Sequence, residues 1–464
     1  MRIEEDCIGK LSVEDDALYG IHTLRAVRNF PITTERLNPL LIQNLLQIKK
    51  AAAVVNHAAG TLEVAKERAI VAACNQLLLG QHADSFIVPA IQGGAGTSAN
   101  MNVNEVVAHL AQRLNPGVAV HPNDDVNQSQ STNDTFPTAG KMALRQQLPG
   151  LMAAIAELVQ TLLVKSKRYQ DAIKVGRTQL EDAVPTTYGR TFHAYYQLFK
   201  RDLERVRVAG EHLRAVNLGG TAIGTGINAT AYYQQHILAV LNQNTHLDLV
   251  SAPDLIDATQ NCDLFAEFSG ALKTLAVNLS KFSNDLRLLA SGPQAGLGEL
   301  NLPAKQAGSS IMPGKVNPVI PEVVNQVAFE VVGNDVTVTM AAEGGQLELN
   351  AFEPIMFRAL LESEAHLQRA LETLVNNCLH DVSVNRQKCA TQVEHSTITA
   401  TVLAPYLGYE TTTALIKEAL TTHQAVPELL RQRKLLSPTL ITQLFSPAGL
   451  TQPRNLKVGL ERQA

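Results

Sequence analysis

The stretch FAEFSGALKTLAVNLSKFSNDLRLL, residues 265–289, gives the clearest structural signal in this chain. Its large apolar residues recur in steps of three and four, at Phe265, Phe268, Leu272, Leu275, Leu279, Phe282, Leu286 and Leu289. Because an α-helix turns once in about 3.6 residues, this spacing places one continuous apolar stripe along a single helix face. The stretch therefore predicts a long helix with that face buried.

Two other stretches repeat this helical spacing. The first contains Leu144, Leu148, Leu151, Ile155, Leu158 and Leu162, and the second, weaker one contains Leu203, Val206, Gly210, Leu213 and Val216. Pro149 lies inside the first, so a helix either begins or bends there, since proline cannot donate a backbone hydrogen bond. Several long helices in one chain predict a helical bundle, and stripes of this length also favour packing against other subunits.

The valine-rich residues 323–340, VVNQVAFEVVGNDVTVTM, do not fit this pattern. The alternation in VTVTM and the β-branched residues favour a strand in part of the segment. Tertiary context can override such a propensity, so residue preferences leave helix and strand both open.

Composition indicates an ordinary globular protein. With 464 residues the chain exceeds one hydrophobic core, so two or three domains are expected. A net charge of −4 gives no general reason to bind nucleic acid or an anionic membrane. The start MRIEEDCIGK lacks an apolar signal core, and no uncharged apolar run reaches the roughly 18 residues of a membrane span. We therefore expect a cytoplasmic location.

The cysteines and motifs exclude several kinds of site. The five cysteines are scattered without C-x-x-C spacing, which argues against a disulfide framework or a zinc site. No H-E-x-x-H, phosphate-binding or dinucleotide motif occurs, so we expect no metal site. The glycine-rich GGTAIGTG, residues 219–226, follows nothing that resembles a strand, which argues against a cofactor cradle.

Four polar, glycine- and asparagine-rich segments interrupt the helical stretches. They are residues 91–105, 121–138, 175–187 and 306–322. Such runs are ordinarily turns, but loops held by a rigid scaffold are also where functional sites are usually found. Their hydroxyls, amides and backbone N–H groups suit the binding of carboxylates.

The segment QAGSSIMPGKVNP, residues 306–318, has the composition of a reactive loop. A serine hydroxyl becomes a useful base only where N–H donors and a cation stabilise its alkoxide, and Lys315 lies close in sequence to Ser309 and Ser310. A glycine- and proline-rich surface turn with a solvated lysine explains the same residues. Residue chemistry alone leaves both interpretations open.

The string GSSIMPGKVNP, residues 308–318, closely resembles the signature of the fumarase/aspartase superfamily. The segments GTSANMN, SQSTND and GRTQLEDA also occur in the order of that superfamily. The resemblance extends from DDALYGIHTLRA to about residue 360 and more weakly beyond. Within the superfamily, stretches such as GIHTLRAVRNFPIT and NLGGTAIGTGIN resemble aspartases more than fumarases.

This resemblance implies an all-α fold in three domains, residues 1–132, 133–387 and 388–464. The central domain would be a bundle of long helices, and four copies would form a homotetramer with a shared 20-helix core. Each active site would combine loops from three subunits. The valine-rich segment would be helical. The resemblance implies no cofactor, and the sequence does not determine whether a divalent cation such as Mg²⁺ activates the protein.

The resemblance also implies a reaction, the reversible anti-elimination of ammonia from L-aspartate to give fumarate through an aci-carboxylate. Ser309 would be the base that removes the Cβ proton. The groups around the β-carboxylate would be Thr97, Ser131, Thr132 and Ser310. Lys315 and Asn317 would hold the α-carboxylate, and Asn133 and Thr178 would orient the amino group.

Position 179 departs from the fumarase pattern. Fumarases have a histidine here, paired with a glutamate that matches Glu322, whereas this chain has Gln179. Glutamine cannot titrate, so it cannot shuttle a proton to a hydroxide leaving group, and it favours the ammonia-lyase over fumarate hydratase. Glu322 would keep a supporting role, and a helix N-terminal carboxylate without chemistry explains it equally well.

Other interpretations remain for some of these residues. Thr97 and Asn133 could be helix caps. The segment HPNDD, with His121, Asn123 and Asp124, resembles a secondary dicarboxylate site of fumarases, although an Asn-Asp turn is the favoured explanation. A catalytically silent, structural oligomer is a further alternative for the whole chain, but it predicts damaged site loops, which this sequence does not have.

Overall fold

The computed structural model describes residues 1–452, and it confirms the prediction of a predominantly α-helical fold. Within those residues the chain forms seventeen α-helices, and the longest of them lie in the middle of the chain. The α-helices are α1 (Ile21–Asn29), α2 (Pro39–Ala58), α3 (Val64–Leu78), α4 (Thr97–Leu114), α5 (Thr132–Arg168), α6 (Tyr188–His212), α7 (Ala231–Thr245), α8 (Asp257–Gln260), α9 (Asp263–Leu289), α10 (Val319–Glu343), α11 (Glu353–Leu374), α12 (Arg386–His395), α13 (Ala404–Leu407), α14 (Tyr409–Thr422), α15 (Val426–Gln432), α16 (Pro438–Leu444) and α17 (Pro447–Thr451).

The strands are short and pair only in twos within residues 1–452. They are β1 (Arg2–Asp6), β2 (Gly9–Val13), β3 (Ile173–Thr178), β4 (Glu181–Thr187), β5 (Ala215–Val216), β6 (Val250–Ser251), β7 (Leu300–Asn301) and β8 (Ser383–Val384). The pairs β1–β2, β3–β4 and β7–β8 are antiparallel, and β5–β6 is parallel. The β3–β4 hairpin has the longest strands and contains Thr178, one of the proposed site residues. The helical periodicity did not predict this hairpin.

The two strongest apolar stripes form the helices they predict. Helix α9 covers the stripe from Phe265 to Leu289, and most of the stripe's side chains are buried. Helix α5 begins at Thr132 and runs through Pro149, so a helix start at that proline is excluded. Helix α5 is long and apolar enough to cross a membrane, but the core helices of soluble proteins meet the same criterion. Its residues Leu151 and Leu158 are fully buried within the protein, as in a core helix.

The weaker stripe and the valine-rich segment have different outcomes. Helix α6 ends at His212, so Leu213 and Val216 of the weaker stripe lie beyond it, and Val216 belongs to β5. The valine-rich segment is part of helix α10, so the strand preference is wrong there and the resemblance is right. Burial of Val324, Ala328 and other residues on one side of α10 outweighs the local preference for β structure.

The chain forms two compact units, and the first contains residues 1–153, 202–277 and 327–369. In its core, the ring of Phe357 on α11 meets Phe136 of α5 and Phe265 of α9 edge-on, with centroid distances of 5.6 and 5.0 Å. Gly140 allows the close approach, because a Cβ there would lie 2.2 Å from the Phe357 ring. These contacts fix the start of α5, which is adjacent to a polar segment of the site.

The second unit contains residues 154–201, 278–326 and 370–464, of which the structure describes those up to 452. A fully buried carboxylate, Glu299, organises part of its interior. It accepts hydrogen bonds from Arg177 (2.5 Å) and from the Tyr188 hydroxyl (2.7 Å), and Lys174 Nζ lies 3.2 Å away. Because Lys174 and Arg177 are both on β3, Glu299 anchors the β3–β4 hairpin.

Every boundary between the two units falls inside one of the helices α5, α6, α9, α10 and α11. The division into residues 1–132, 133–387 and 388–464 stays a prediction. All five cysteines are free thiols, and Cys74, Cys262, Cys378 and Cys389 are buried, which agrees with their interpretation as small apolar residues.

Candidate active site

Thr97 is the first residue of helix α4. Gly96 precedes it at the N-cap with a φ of 85°, and a Cβ at Gly96 would lie 2.5 Å from the ring of Phe136. No side chain caps this helix, so the prediction that Thr97 could be a cap is wrong. The half-buried Thr97 hydroxyl and the N-terminus of a helix are both suited to an anionic ligand.

Ser131, Thr132 and Asn133 lie at the start of helix α5. The Ser131 hydroxyl accepts a hydrogen bond from the Asn133 backbone N–H (3.2 Å), and the Asp134 carboxylate accepts one from the Ser131 N–H (3.0 Å). This reciprocal arrangement is a capping box, with aspartate in the position usually held by glutamate. Ser131 is therefore the cap of α5, and the prediction that Asn133 could be the cap is wrong.

The glycine-rich residues 219–226 lie against this helix start. Asp134 Oδ2 accepts hydrogen bonds from the backbone N–H groups of Gly219 (3.0 Å) and Thr221 (3.1 Å). Asn133 Nδ2 donates to the Ala222 carbonyl (2.7 Å), which fixes the direction of the Asn133 side chain. The segment therefore supports the start of α5. It follows strand β5 (Ala215–Val216) closely, so the expectation that nothing before it forms a strand is wrong.

The segment around His121 forms a turn, as the favoured interpretation predicted. His121 Nδ1 accepts from the Asp124 backbone N–H (3.1 Å), and the following residues Pro122–Val126 form one turn of π-helix. His121 and Asn123 nevertheless line a cavity of about 1220 Å³ together with Thr97. A secondary dicarboxylate site at His121, Asn123 and Asp124 stays a prediction.

Thr178 and Gln179 lie at the tip of the β3–β4 hairpin. Thr178 pairs with Glu181, which leaves Gln179 and Leu180 as a two-residue turn with φ values of 55° and 68°. Two left-handed residues define the turn type whose twist matches a β-hairpin. Thr178 and Gln179 are exposed in the single chain, and Leu180 beside them is 74% exposed.

The loop with Ser309 has an internal arrangement of donors. Ser309 Oγ accepts hydrogen bonds from the backbone N–H groups of Ile311 (3.2 Å) and Met312 (3.0 Å). Such donors stabilise negative charge on an oxygen, as a serine alkoxide requires. A serine that only shapes a turn makes the same contacts, so this geometry is compatible with both interpretations of Ser309.

Lys315 and Asn317 complete the same loop. The Gly308 N–H donates to the Lys315 carbonyl (2.8 Å), and Asn317 Nδ2 donates to the Gly308 carbonyl (2.9 Å). These bonds bring the two ends of the loop together, with Ser309 between them and with Ser310 and Lys315 exposed. Glu322 lies in the first turn of α10, where a carboxylate is favoured by the helix dipole.

The predicted site residues therefore form two groups. Thr97, Ser131, Thr132 and Asn133 belong to the first compact unit, and Thr178, Gln179, Ser309, Ser310, Lys315, Asn317 and Glu322 belong to the second. Within the first group, the capping box and the 219–226 segment hold the α5 residues. Within the second group, the hairpin and the Ser309 loop are separate elements. The convergence of the two groups on one substrate stays a prediction.

Sequence reasoning missed the residues that hold these groups in place. Asp134 and Asn217 are buried, and Asn217 Nδ2 donates to the Asn133 carbonyl (2.9 Å). Asp134 could have been found, because serine followed three residues later by an acidic residue is a signature of a helix start. The ion pair of Arg177 and Glu299 could not have been found in this way, because no local sequence pattern joins residues 122 positions apart.

Comparison with known proteins gives a consistent family. The profile of the family described as "Lyase" matches residues 9–333, and "Fumarase C C-terminus" matches residues 400–452. An aspartate ammonia-lyase of Pseudomonas aeruginosa is 48% identical over 98% of this chain and 97% of its own. One of Helicobacter pylori is 46% identical over 98% of this chain and 99% of its own.

Solved structures agree with these relatives. A protein of Brucella melitensis described as "fumarate lyase:delta crystallin", bound to cobalt, superposes with a TM-score of 0.93 at 44% identity, covering 97% of this chain and 100% of its own. A class II fumarase of Schistosoma mansoni gives the same TM-score at 33% identity, covering 98% of this chain and 100% of its own. The chain therefore belongs to this lyase family, on its aspartate ammonia-lyase side, and is a carbon–nitrogen lyase.

Proposed function

We propose that this lyase converts L-aspartate reversibly into fumarate and ammonia, with Ser309 as the base. The observation that supports the role of Ser309 is the pair of backbone N–H groups, from Ile311 and Met312, that donate to its Oγ. A serine with two such donors can hold the negative charge that a base needs, and Lys315 lies in the same loop.

The first step of the proposed mechanism breaks the Cβ–H bond. The Ser309 alkoxide takes the proton, and the electron pair moves into the β-carboxylate, which becomes a doubly charged aci-carboxylate. Fixed hydroxyl and N–H donors stabilise this charge better than water does, because they need no reorganisation. Thr97, Ser131, Thr132 and Ser310 are the proposed donors around it.

The second step breaks the Cα–N bond. The electron pair of the aci-carboxylate forms the double bond of fumarate, and ammonia leaves with the pair of the broken bond. The proton on Ser309 passes to ammonia or solvent, which restores the base. Lys315 and Asn317 hold the α-carboxylate, Asn133 and Thr178 orient the amino group, and no step requires a metal ion or an organic cofactor.

Gln179 and Glu322 have secondary roles in this proposal. Gln179 cannot titrate, so it cannot protonate a leaving group. It therefore favours a substrate whose nitrogen is already protonated and leaves without proton transfer from the enzyme. Fumarate hydratase is the alternative with the same fold, and the fumarase structure is less similar, at 33% identity against 46% and 48% for the two ammonia-lyases. A catalytically silent, structural oligomer would be expected to have damaged site loops. The loops of this chain keep all the residues that match the family, so that alternative has no support.

We also propose a cytoplasmic homotetramer whose active sites draw on three subunits. Helix α10 presents Phe329, Val336 and Met340 on one face, and these residues are 65%, 58% and 61% exposed. Gly333 lies on the same face, where a Cβ would meet nothing within 4 Å. An exposed apolar stripe with this spacing is typical of a helix that packs against other subunits.

The substrate assignment is tested with the purified full chain. L-Aspartate and L-malate are supplied separately, and fumarate is followed by its ultraviolet absorbance. We expect fumarate from aspartate and little or none from malate, because the leaving group in the proposed mechanism is an amine. Faster product formation from malate would make the protein a hydratase.

Ser309→Ala should lower kcat by at least about a hundredfold, since a general base commonly contributes 10²- to 10⁴-fold. Circular dichroism should show an unchanged helical content. Ser437→Ala is the matched control, because the Ser437 hydroxyl also accepts from a backbone N–H, at the cap of α16. That variant should lose about 1 kcal/mol of stability and keep its activity. Near wild-type turnover in Ser309→Ala would remove Ser309 from the base role.

Lys315→Ala should raise the KM for aspartate by about tenfold or more, because a charge-assisted bond to a carboxylate is lost. Lys305→Ala is the control, since Lys305 lies ten residues earlier and faces Asp381 at 3.9 Å. The KM of the control should not change. An unchanged KM in Lys315→Ala contradicts the contact with the α-carboxylate.

Phe329→Asp should split the tetramer into smaller species, because a charge then replaces a buried ring at the interface. Sedimentation velocity measures the species, and loss of activity should accompany the split. Tyr409→Asp, at a side chain that is 80% exposed at the start of α14, should leave both unchanged. A Phe329→Asp protein that stays tetrameric and active would show that α10 is not at the interface.

A further inference from the structure

Lys49 is a fully buried lysine on helix α2, in the first compact unit. Its ammonium donates to three amide oxygens, Oδ1 of Asn100 (2.6 Å), Oδ1 of Asn127 (3.0 Å) and Oε1 of Gln130 (2.9 Å). An ammonium has three donors and no acceptor, so these three oxygens match its charged form completely. Removing such a group from water is costly, so its position calls for a physical reason.

The three partners belong to two segments that carry proposed substrate-binding residues. Asn100 lies one helical turn after Thr97 on α4, and Gln130 directly precedes Ser131. Asn127 is shared, because its Oδ1 also accepts from Asn100 Nδ2 (3.0 Å) and its Nδ2 donates to the Gln130 carbonyl (3.2 Å). The Lys49 ammonium therefore links the start of α4 to the residues before α5.

Charge contributes to the same arrangement. Burial lowers the pKa of Lys49 to about 7, and the negative charge of Asp134 opposes that shift. Burial raises the pKa of Asp134 to about 6. The hydrogen bonds that it accepts from backbone N–H groups and the charge of Lys49 lower the pKa and oppose this effect. Asp134 is the capping-box partner of Ser131 and holds residues 219–226. The charge of Lys49 therefore favours the ionised form of the group on which the Ser131–Asn133 segment depends.

We propose that Lys49 is a positioning residue for substrate binding, which holds Thr97 and the Ser131–Asn133 segment in one fixed arrangement. The inference rests on the proposed function, in which both segments contact the β-carboxylate. Lys49 itself touches no substrate. Its loss separates the two donor groups, so the doubly charged intermediate loses more stabilisation than the bound substrate does, and both kcat and KM change.

The test is Lys49→Met, which keeps the length and apolar stem and removes the charge and the donors. Per folded tetramer, we expect kcat to fall at least about tenfold and the KM for aspartate to rise at least about threefold. Lys165→Met is the matched control, because Lys165 is also buried and donates to the carbonyls of His380 and Val382. Lys165 lies 31 residues after Asp134 in the sequence and belongs to the second compact unit.

The melting temperature is measured for both variants, since a merely structural lysine would lower it without changing the kinetics of the folded enzyme. Lys165→Met should show that behaviour. A Lys49→Met enzyme with kcat and KM within twofold of wild type, whatever its melting temperature, overturns the proposal. If wild type releases no fumarate from aspartate, the proposed function fails instead, so the two failures are distinguishable.

A milder variant covers the case in which Lys49→Met does not fold. Gln130→Met removes one of the three oxygens and leaves the lysine in place, with a side chain of similar size. The same changes in kcat and KM are expected, at about two- to fivefold each. Unchanged kinetics in a folded Gln130→Met enzyme would overturn the proposal.

Discussion

The burial of Asp134 is the constraint on which the first group of site residues depends. A carboxylate removed from water must have its oxygens occupied, and here they accept from the N–H groups of Ser131, Gly219 and Thr221. Burial still raises its pKa to about 6, so the cost of desolvation exceeds the gain from the three N–H donors. One residue thereby fixes both the start of α5 and the glycine-rich segment beside it.

The hairpin of the second group depends on an analogous buried carboxylate. Glu299 is fully buried and is held by Arg177, Lys174 and Tyr188, and its charge joins the hairpin with Thr178 and Gln179 to the chain before β7. A buried ion pair of this kind adds little net stability, but loss of one partner leaves an uncompensated charge. In both units most of the proposed site residues are exposed or half-buried, at helix starts, in a hairpin turn or in a loop, whereas Asp134 and Glu299 are fully buried.

The long helices are the scaffold for both arrangements. Apolar stripes on α5 and α9 bury large side chains such as Phe136 and Phe265 around Phe357, which gives the helix ends fixed positions. Rigid ends matter because donors that stabilise a developing charge act best when they need not move. The exposed face of α10 fits the same scheme, since it leaves an apolar stripe for other subunits in the proposed tetramer.

The sequence by itself determined the helices and the family. Apolar spacing of three and four residues is a local property, so α5 and α9 could be predicted, and the string GSSIMPGKVNP identified the family and the proposed base loop. Tertiary structure decided the rest: that residues 323–340 are helical, that Ser131 caps α5 in place of Asn133, that Gln179 lies in a hairpin turn, and that Lys49 is buried. These outcomes depend on contacts between distant residues, such as the 85 positions between Asp134 and Gly219, which no local pattern encodes.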